Sequence, residues 1–347
     1  MVRILVIALA TFVPAAFAAD ATHYRLAREA PVAGNEGWDY LLYDAGRLYV
    51  SHGTHVQVLD GTNLSVVGEI AATPGVHGIA IASDLGHGFV SAGRSDSVVV
   101  FDLKSLARVA EIKVTGANPD AILYEPTTHR VFTFNGRGRN ATAIDAKTHA
   151  VLGTIPLDAK PEFAATDGAG HVFVNLEDKS SLAVIDAQKL TVLSVWPLAG
   201  CEEPSGLAID VANHRLFSVC DNKVMTVTDS TSGKVVAHVP IGARVDAAGY
   251  DPGTHLAFAS GGDGTLTVVK EASASDFTVA QTVKTKTGAR TMTLDPGSHR
   301  VFSVTATPEG GTPPPQAAAA GGPPPAQGAP PRPRSFKDFE VLEIAGP

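Results

Sequence analysis

A strand-turn-strand unit begins at Arg130-Val-Phe-Thr, ends at Thr142-Ala-Ile-Asp145, and recurs along the chain. Its first strand carries an aromatic anchor, and seven such anchors follow one another at spacings of 40 to 44 residues: Tyr49, Phe89, Phe132, Phe173, Phe217, Phe258 and Phe302. Apolar strands that end in aspartate recur every 41 to 43 residues: Asp60, Asp102, Asp145, Asp186 and Asp229. Self-similarity at a fixed period of this length indicates a repeat fold.

Each unit divides into four short strands. A weakly alternating inner strand is followed by the aromatic-anchored strand, the strand that ends in aspartate, and a Val-rich strand such as Val151-Leu-Gly-Thr-Ile155. None of these segments keeps the helical period of about 3.6 residues. Four-stranded units of about 40 to 45 residues are typical of β-propeller blades. The sequence therefore predicts an all-β fold, a seven-bladed β-propeller with four-stranded antiparallel blades.

The seventh unit has no fourth strand of its own. It supplies Thr291 to Leu294, Val301 to Thr305 and, after a long insertion, Phe339 to Ile344. An open ring would leave strand edges unpaired, so another segment must complete this blade. We predict that Tyr24 to Val32 is the missing strand and that its pairing into the last blade closes the propeller.

Composition and charge restrict the class of function. The 347 residues are 44% hydrophobic and 18% charged, with a formal net charge of −8 and a pI near 5.8. Such a chain can bury a core, but it has no basic field that would attract nucleic acid. No later stretch approaches the roughly 18 apolar residues of a membrane span. We expect a monomer that binds a small polar ligand or a protein partner.

Two segments fall outside the repeats. Met1 to Arg3, an apolar run and Ala16-Phe17-Ala18 match a secretory signal peptide, so residues 1–18 should be cleaved off after Ala18 and the protein should be periplasmic or secreted. Residues 19–347 then form one propeller domain. Residues 307–334 are a Pro/Gly/Ala-rich insertion in blade 7 that we expect to be disordered.

Cys201 and Cys220 are the only cysteines. In an exported protein a lone pair is by default a disulfide, and antiparallel pairing of their strands would bring both to one rim. A catalytic thiol and a metal-binding thiolate pair are the alternatives. The absence of a C-x-x-C-H motif excludes covalent c-type haem.

The repeat resembles the forty-residue YVTN repeat of bacterial seven-bladed propellers, the YncE-like group. Runs that carry the resemblance include Gly37-Trp-Asp-Tyr, Gly75-Val-His-Gly, Asn118-Pro-Asp-Ala and Cys201-Glu-Glu-Pro-Ser-Gly. The namesake letters are altered, with Tyr49-Val-Ser-His and Phe173-Val-Asn-Leu where YVTN would stand. The resemblance implies a scaffold of this fold, and it implies no particular activity.

Registering the seven units on their anchors places one residue per blade at the start of the inner strand, facing the mouth of the central channel: Asp39, His77, Asp120, Glu162, Ser205, Asp246 and Arg290. Four further residues fall close to these seven: Trp38, Glu202, Glu203 and Arg244. Three interpretations remain open, namely a solvated channel entrance with paired charges, a divalent-cation site, and a metal-free pocket for a small ligand.

The cation interpretation depends on five of these side chains: Asp39, His77, Asp120, Glu162 and Asp246. Carboxylates from different blades suit Ca²⁺ or Mg²⁺, and His77 would admit Zn²⁺ or Mn²⁺. A bound cation would polarise a lactone or ester carbonyl, which makes a metal-dependent hydrolase the alternative to a binding scaffold. No metal-binding sequence motif specifies the ion. The sequence therefore leaves open whether the protein is an enzyme.

Loops after the aromatic strands should reach the same rim and supply further candidates for ligand binding: His52, His55, Arg94, Asn135, Arg137 and Glu177. Their mixed charges suggest a polar or anionic ligand or a protein surface. Another set of histidines precedes the aromatic strands, at the opposite end of the blades: His129, His214, His255 and His299. Their repetition at one position predicts a role in turn hydrogen bonding.

Overall fold

The computed structural model describes residues 23–309 and 335–346, which form 28 β-strands and two short 3-10 helices, Ser83–Leu85 and Glu177–Lys179. The signal peptide predicted at residues 1–18 and most of the predicted insertion lie outside the described residues. No helix within the described residues has the length and apolarity needed to cross a membrane.

The strands fall into seven groups. Before blade 1 comes β1 (Arg25–Pro31). Blades 1 to 3 consist of β2 (Trp38–Asp44), β3 (Arg47–His52), β4 (His55–Asp60), β5 (Val66–Ile70); β6 (Val76–Ala82), β7 (His87–Ala92), β8 (Ser97–Asp102), β9 (Arg108–Lys113); and β10 (Pro119–Glu125), β11 (Arg130–Asn135), β12 (Asn140–Asp145), β13 (Val151–Pro156). Blades 4 to 6 consist of β14 (Pro161–Thr166), β15 (His171–Leu176), β16 (Ser181–Asp186), β17 (Thr191–Pro197); β18 (Pro204–Asp210), β19 (Arg215–Cys220), β20 (Val224–Asp229), β21 (Val235–Pro240); and β22 (Val245–Asp251), β23 (Leu256–Gly261), β24 (Thr265–Ser273), β25 (Asp276–Lys284). Blade 7 begins with β26 (Met292–Asp295), β27 (Arg300–Pro308) and β28 (Phe336–Ala345).

Every blade is a four-stranded antiparallel sheet, and the inner strands contact one another in sequence until β26 meets β2 and closes the ring. The seven-bladed propeller predicted from the repeat is confirmed. Seven hydrophobic clusters fill the wedges between neighbouring blades, and in one of them Phe132 and Phe134 of β11 pack with Val172 and Val174 of β15. Because each sheet buries both faces against its neighbours, the second and third strands read as continuous buried runs.

The predicted closure is also confirmed, because β1 pairs antiparallel with β28 and completes blade 7. The pairing runs from Arg25 opposite Ala345 to Pro31 opposite Glu340. Tyr24, which precedes the strand, is 1% exposed, and its ring lies 5.2 Å from that of Phe258. The first and last segments of the propeller are thus held in one sheet.

Turns at the end of the blades away from the channel mouth use the repeated histidines. His129, His214, His255 and His299 all have φ between 51° and 58°. The Nδ1 atom of His129 lies 2.9 Å from the hydroxyl of Tyr124, and that of His299 lies 2.7 Å from Oδ2 of Asp251. His255 makes the equivalent contact with the hydroxyl of Tyr250 at 3.3 Å, so the predicted local hydrogen bond is present for His129 and His255, whereas the contact of His299 joins blades 6 and 7.

Candidate functional site

A cavity of about 470 Å³ opens where the inner strands begin. One residue at the start of each inner strand lines it, so all seven members of the ring proposed from the repeat contact one space: Asp39, His77, Asp120, Glu162, Ser205, Asp246 and Arg290. The cavity lies at the axis, which is where propellers expose side chains from every blade to a single ligand.

β-Bulges explain why these side chains reach the axis. The register between the inner strand and its neighbour shifts immediately after the first inner-strand residue in blades 1 to 6. In blade 3 the shift falls between Pro119 and Ile122, so Asp120 lies inside the bulge, and Glu162 does the same in blade 4. A bulge leaves a residue unpaired and redirects its side chain. The repeated irregularity thus turns one side chain toward the channel in each of blades 1 to 6, whereas Arg290 of blade 7 precedes its inner strand, which has no such shift.

Asp39, His77 and Asp120 form the first cluster in the cavity. Nδ1 of His77 lies 2.5 Å from Oδ2 of Asp39 and 3.6 Å from Oδ1 of Asp120. Burial lowers the pKa of His77, but Asp120 and Asp39 outweigh it and raise this pKa to about 9. Burial also raises the pKa of Asp120, and the neighbouring Asp39 adds to the rise. At neutral pH the histidine therefore serves as the cation between two carboxylates.

The second cluster joins blades 6, 7 and 1. Nε of Arg290 donates to Oδ2 of Asp246 at 2.7 Å, and its Nη2 lies 3.9 Å from Oδ1 of Asp39. The guanidinium carbon also lies 5.9 Å from the centre of the Trp38 ring. Burial raises the pKa of Asp246 to about 6, although Arg290 opposes the shift. One guanidinium thus links the carboxylates of blades 6 and 1.

Lys160 provides the third cluster, and the sequence pattern did not predict it. Its side chain is 9% exposed, and its Nζ contacts the carboxylates of both Glu162 and Glu177. Burial raises the pKa of Glu162 well above its usual value, and repulsion by Asp120 adds to this. Lys160 could have been predicted from its position in the sequence, two residues before Glu162, the ring residue of the fourth unit.

An aromatic stack lies beneath the charged ring. The rings of Tyr40 and Phe163 are stacked with their centres 4.5 Å apart and their planes at 27°. Tyr40 follows Asp39 in blade 1, and Phe163 follows Glu162 in blade 4. Since these blades lie on opposite sides of a seven-membered ring, the stack crosses the channel, and Tyr40 is the member of the stack that lines the cavity. Its partners are 123 residues apart, and sequence reasoning singled out neither.

The rim of the cavity carries Arg94, Arg137, Glu177, Glu203 and Trp38 from the sequence-based candidates. Arg244, another residue that the repeat register placed near the mouth, also lies on this rim, together with Asn118 and Asp221 from the surrounding loops.

A disulfide fixes one part of this rim. Cys201 and Cys220 are joined with an S–S distance of 2.05 Å and a Cα–Cα distance of 5.5 Å. The bridge connects the loop that carries Glu203 to the end of β19. Glu203 has a φ of 48°, and its pKa is raised by burial and by repulsion from Glu177 and Asp221.

Four other candidates lie outside the cavity lining. His52 is buried and stacks on Phe339 with ring centres 4.3 Å apart, and Asn135 is buried and donates to Oδ1 of Asn140 at 2.7 Å. Both are the last residues of aromatic strands, so their side chains point into the wedge between blades. His55 lies 3.8 Å from the carboxylate of Glu36. The loop residues next to these positions that line the cavity are Gly53 and Arg137.

Glu202 is the fourth of these candidates. It is exposed, and its backbone N–H donates to Oδ1 of Asn222 at 3.2 Å. Its neighbour Glu203 lines the cavity instead, because the chain reverses direction at the positive φ of Glu203. The acidic contribution of this loop to the mouth therefore comes from Glu203.

Comparison with known proteins identifies the fold. No family model matches the chain, and no curated protein matches it in sequence. Its structural neighbours are seven-bladed, WD40-like β-propellers. The RRP9 WD40 repeats match with a TM-score of 0.73 at 8% identity, over 92% of this chain and 99% of that chain. A chain of the mitotic checkpoint complex matches with a TM-score of 0.71 at 14% identity, over 87% and 95%. Hydrazine synthase of Kuenenia stuttgartiensis matches with a TM-score of 0.67 at 18% identity, over 78% and 93%. At these identities the likeness concerns the fold alone.

Proposed function

We propose that this protein is a binding propeller of the YncE-like YVTN-repeat group and that it holds a small polar ligand in its channel mouth. The observation that carries the proposal is the cavity of about 470 Å³, with polar walls from all seven blades. Tyr40, which stacks on Phe163, adds an aromatic ring to the lining. A concave site with convergent charged groups and an apolar part of the lining is the usual form of a small-molecule site.

We further propose that the protein works outside the cytoplasm. The Cys201–Cys220 disulfide supports this, because structural disulfides persist in oxidising compartments. The signal-like segment of residues 1–18 has the same implication. In such a compartment the disulfide would stay oxidised and would hold the loop that carries Glu203 in place.

A cavity-filling variant tests the binding proposal. Ser205 lies on the wall of the cavity, so Ser205→Trp should occupy the space that the ligand needs. Ligands are first found in a screen of polar metabolites, as compounds that raise the melting temperature of the native protein. We expect calorimetry to show that each of them binds Ser205→Trp at least about tenfold more weakly than it binds the native protein. The matched control is Ser275→Trp in the exposed turn between β24 and β25, which should bind as the native protein does. Equal binding by both variants would contradict the proposal.

A divalent-metal-dependent hydrolase is the second candidate function. One observation favours it: ligand atoms of Asp39, His77 and Asp120 all lie within 4.8 Å of one another. One imidazole nitrogen and two carboxylates fit Mn²⁺ or Zn²⁺, and carboxylates also accept Ca²⁺. A cation held there would polarise a lactone or ester carbonyl in the cavity. The short His77–Asp39 contact, which a metal would have to replace, makes this the weaker candidate.

Elemental analysis separates the two candidates. If the mouth holds a metal, protein purified without chelator should carry close to one equivalent, and Asp120→Asn should lose it. Asp276→Asn, an exposed aspartate on β25, is the matched control and should keep the metal. Native protein without bound metal, and with an unchanged melting temperature in chelator, would exclude the hydrolase and leave the binding proposal intact.

A further inference from the structure

The rim of the cavity carries opposite charge in two adjacent sectors. The loops of blades 2 and 3 present Arg94 and Arg137. The loops of blades 4 and 5 present Glu177, Glu203 and Asp221. In a ring of seven, blade 2 and blade 5 lie across the axis from each other, whereas blades 3 and 4 are neighbours. A ligand in the cavity therefore experiences a positive wall on one side and a negative wall on the other.

The positive wall has donors in excess of acceptors. Nη2 of Arg137 donates to Oδ1 of Asn118 at 3.2 Å, and among the described residues no carboxylate lies within 4.0 Å of the guanidinium of Arg137 or Arg94. Asn118 is 5% exposed, and its Nδ2 has no acceptor within the described part of the chain. Arginine presents a planar fork of N–H groups that matches a carboxylate or a phosphate. This wall is thus suited to an anionic group.

The negative wall has carboxylates in excess of cations. The single ammonium of Lys160 is shared between Glu162 and Glu177. Glu203 adds another carboxylate and is repelled by Glu177 and Asp221. An amine or quaternary ammonium placed beside Glu203 would relieve this repulsion.

The remaining part of the mouth carries mixed charge. Arg290 contacts both Asp246 and Asp39, and His77 lies between Asp39 and Asp120, so each of these five groups has a neighbour of opposite sign within 4.0 Å. Arg244, which also lines the cavity, donates to the backbone carbonyl of Gly262. The two walls of opposite sign are therefore the features that select a ligand by its charge.

We propose that the ligand is a small zwitterion, with its anionic group against Arg94 and Arg137 and its cationic group against Glu203. An amino acid or a short peptide carries this pair of charges. The cavity volume of about 470 Å³ falls within the usual range for small-molecule sites. This inference rests on the proposed function of the mouth as a binding site and specifies the chemical class that the site selects.

Capped ligands test the inference by calorimetry. The panel consists of free amino acids, alanine dipeptides and betaines, and the first two classes are paired with N-acetylated and C-amidated forms. We expect a zwitterion to bind, and each cap to weaken its binding about tenfold or more, because each removes one charge-assisted contact. The double variant Arg94→Gln with Arg137→Gln should bind the zwitterion no better than its amide, and Glu203→Gln should bind it no better than its N-acetyl form. Arg108→Gln on the outer strand β9 is the charge-matched control and should behave as the native protein.

The outcomes separate this inference from the proposed function. If capped compounds bind as tightly as zwitterions, the mouth binds ligands but does not select zwitterions. The same conclusion follows if only singly charged or neutral compounds bind and Ser205→Trp abolishes their binding. The zwitterion inference is also contradicted if no compound of the panel binds, while another polar compound binds the native protein and does not bind Ser205→Trp. If no small molecule shows binding that depends on Ser205, the proposed function fails as well.

Discussion

Removal of residues 23–32, which contain β1, should abolish cooperative folding. The truncation leaves blade 7 with three strands and exposes the edge of β28 along its whole pairing with β1. An exposed edge of this length is a site of aggregation. We expect the truncated protein to elute as aggregates in size-exclusion chromatography and to show no sharp urea transition.

Point variants keep this prediction measurable if the truncated chain cannot be purified. Tyr24→Ala removes a ring that is 1% exposed and should lower the free energy of unfolding by about 3 to 5 kcal/mol. Arg25→Ala, on an exposed neighbour, should change it by less than about 0.5 kcal/mol. A truncated protein with the native urea midpoint would show that closure by β1 does not hold the ring together.

Lys160→Met should be the most damaging single substitution in the mouth. It leaves the carboxylates of Glu162 and Glu177 without their shared cation in a place where the lysine side chain is only 9% exposed. Breaking a buried ion pair by removing one partner costs about 3 to 5 kcal/mol. Urea denaturation at neutral pH should therefore show a loss of this size.

A compensating variant identifies the cause of that loss. Adding Glu162→Gln and Glu177→Gln to Lys160→Met removes the uncompensated charges, so it should recover most of the lost stability. Lys104→Met, at an exposed turn, is the matched control and should be close to neutral. If the triple variant is as unstable as Lys160→Met alone, the lysine acts through packing, and the electrostatic account of this cluster is wrong.

The fold could be predicted because its determinants are local and repeated. Anchors such as Phe132 recur at a nearly constant spacing, and each is buried between blades. The missing strand in the seventh unit predicted the role of β1, because a propeller must close its ring. The position of Asp120 at the start of an inner strand was likewise readable from the register of the repeat.

The details of the mouth depend on contacts between blades that no local pattern encodes. His52 is the last residue of β3 and packs on Phe339, whereas Arg94 lies two residues beyond the end of β7, the equivalent strand of blade 2, and lines the cavity. The stack of Tyr40 on Phe163 joins blades on opposite sides of the axis. Lys160 precedes β14, and its ion pair with Glu177 forms because Glu177, which follows β15, lies beside it in the folded blade. A sequence pattern gives the register along a strand, and these contacts arise only when the ring closes.

The most direct test of the mouth as a binding site is a crystal structure of the protein with the tightest-binding compound of the zwitterion panel. We expect density for the compound above Tyr40, with its anionic group near Arg94 and Arg137 and its amine near Glu203. Density for the compound on the outer strands, or in the turns at the opposite end of the channel, would contradict the assignment of the mouth as the binding site.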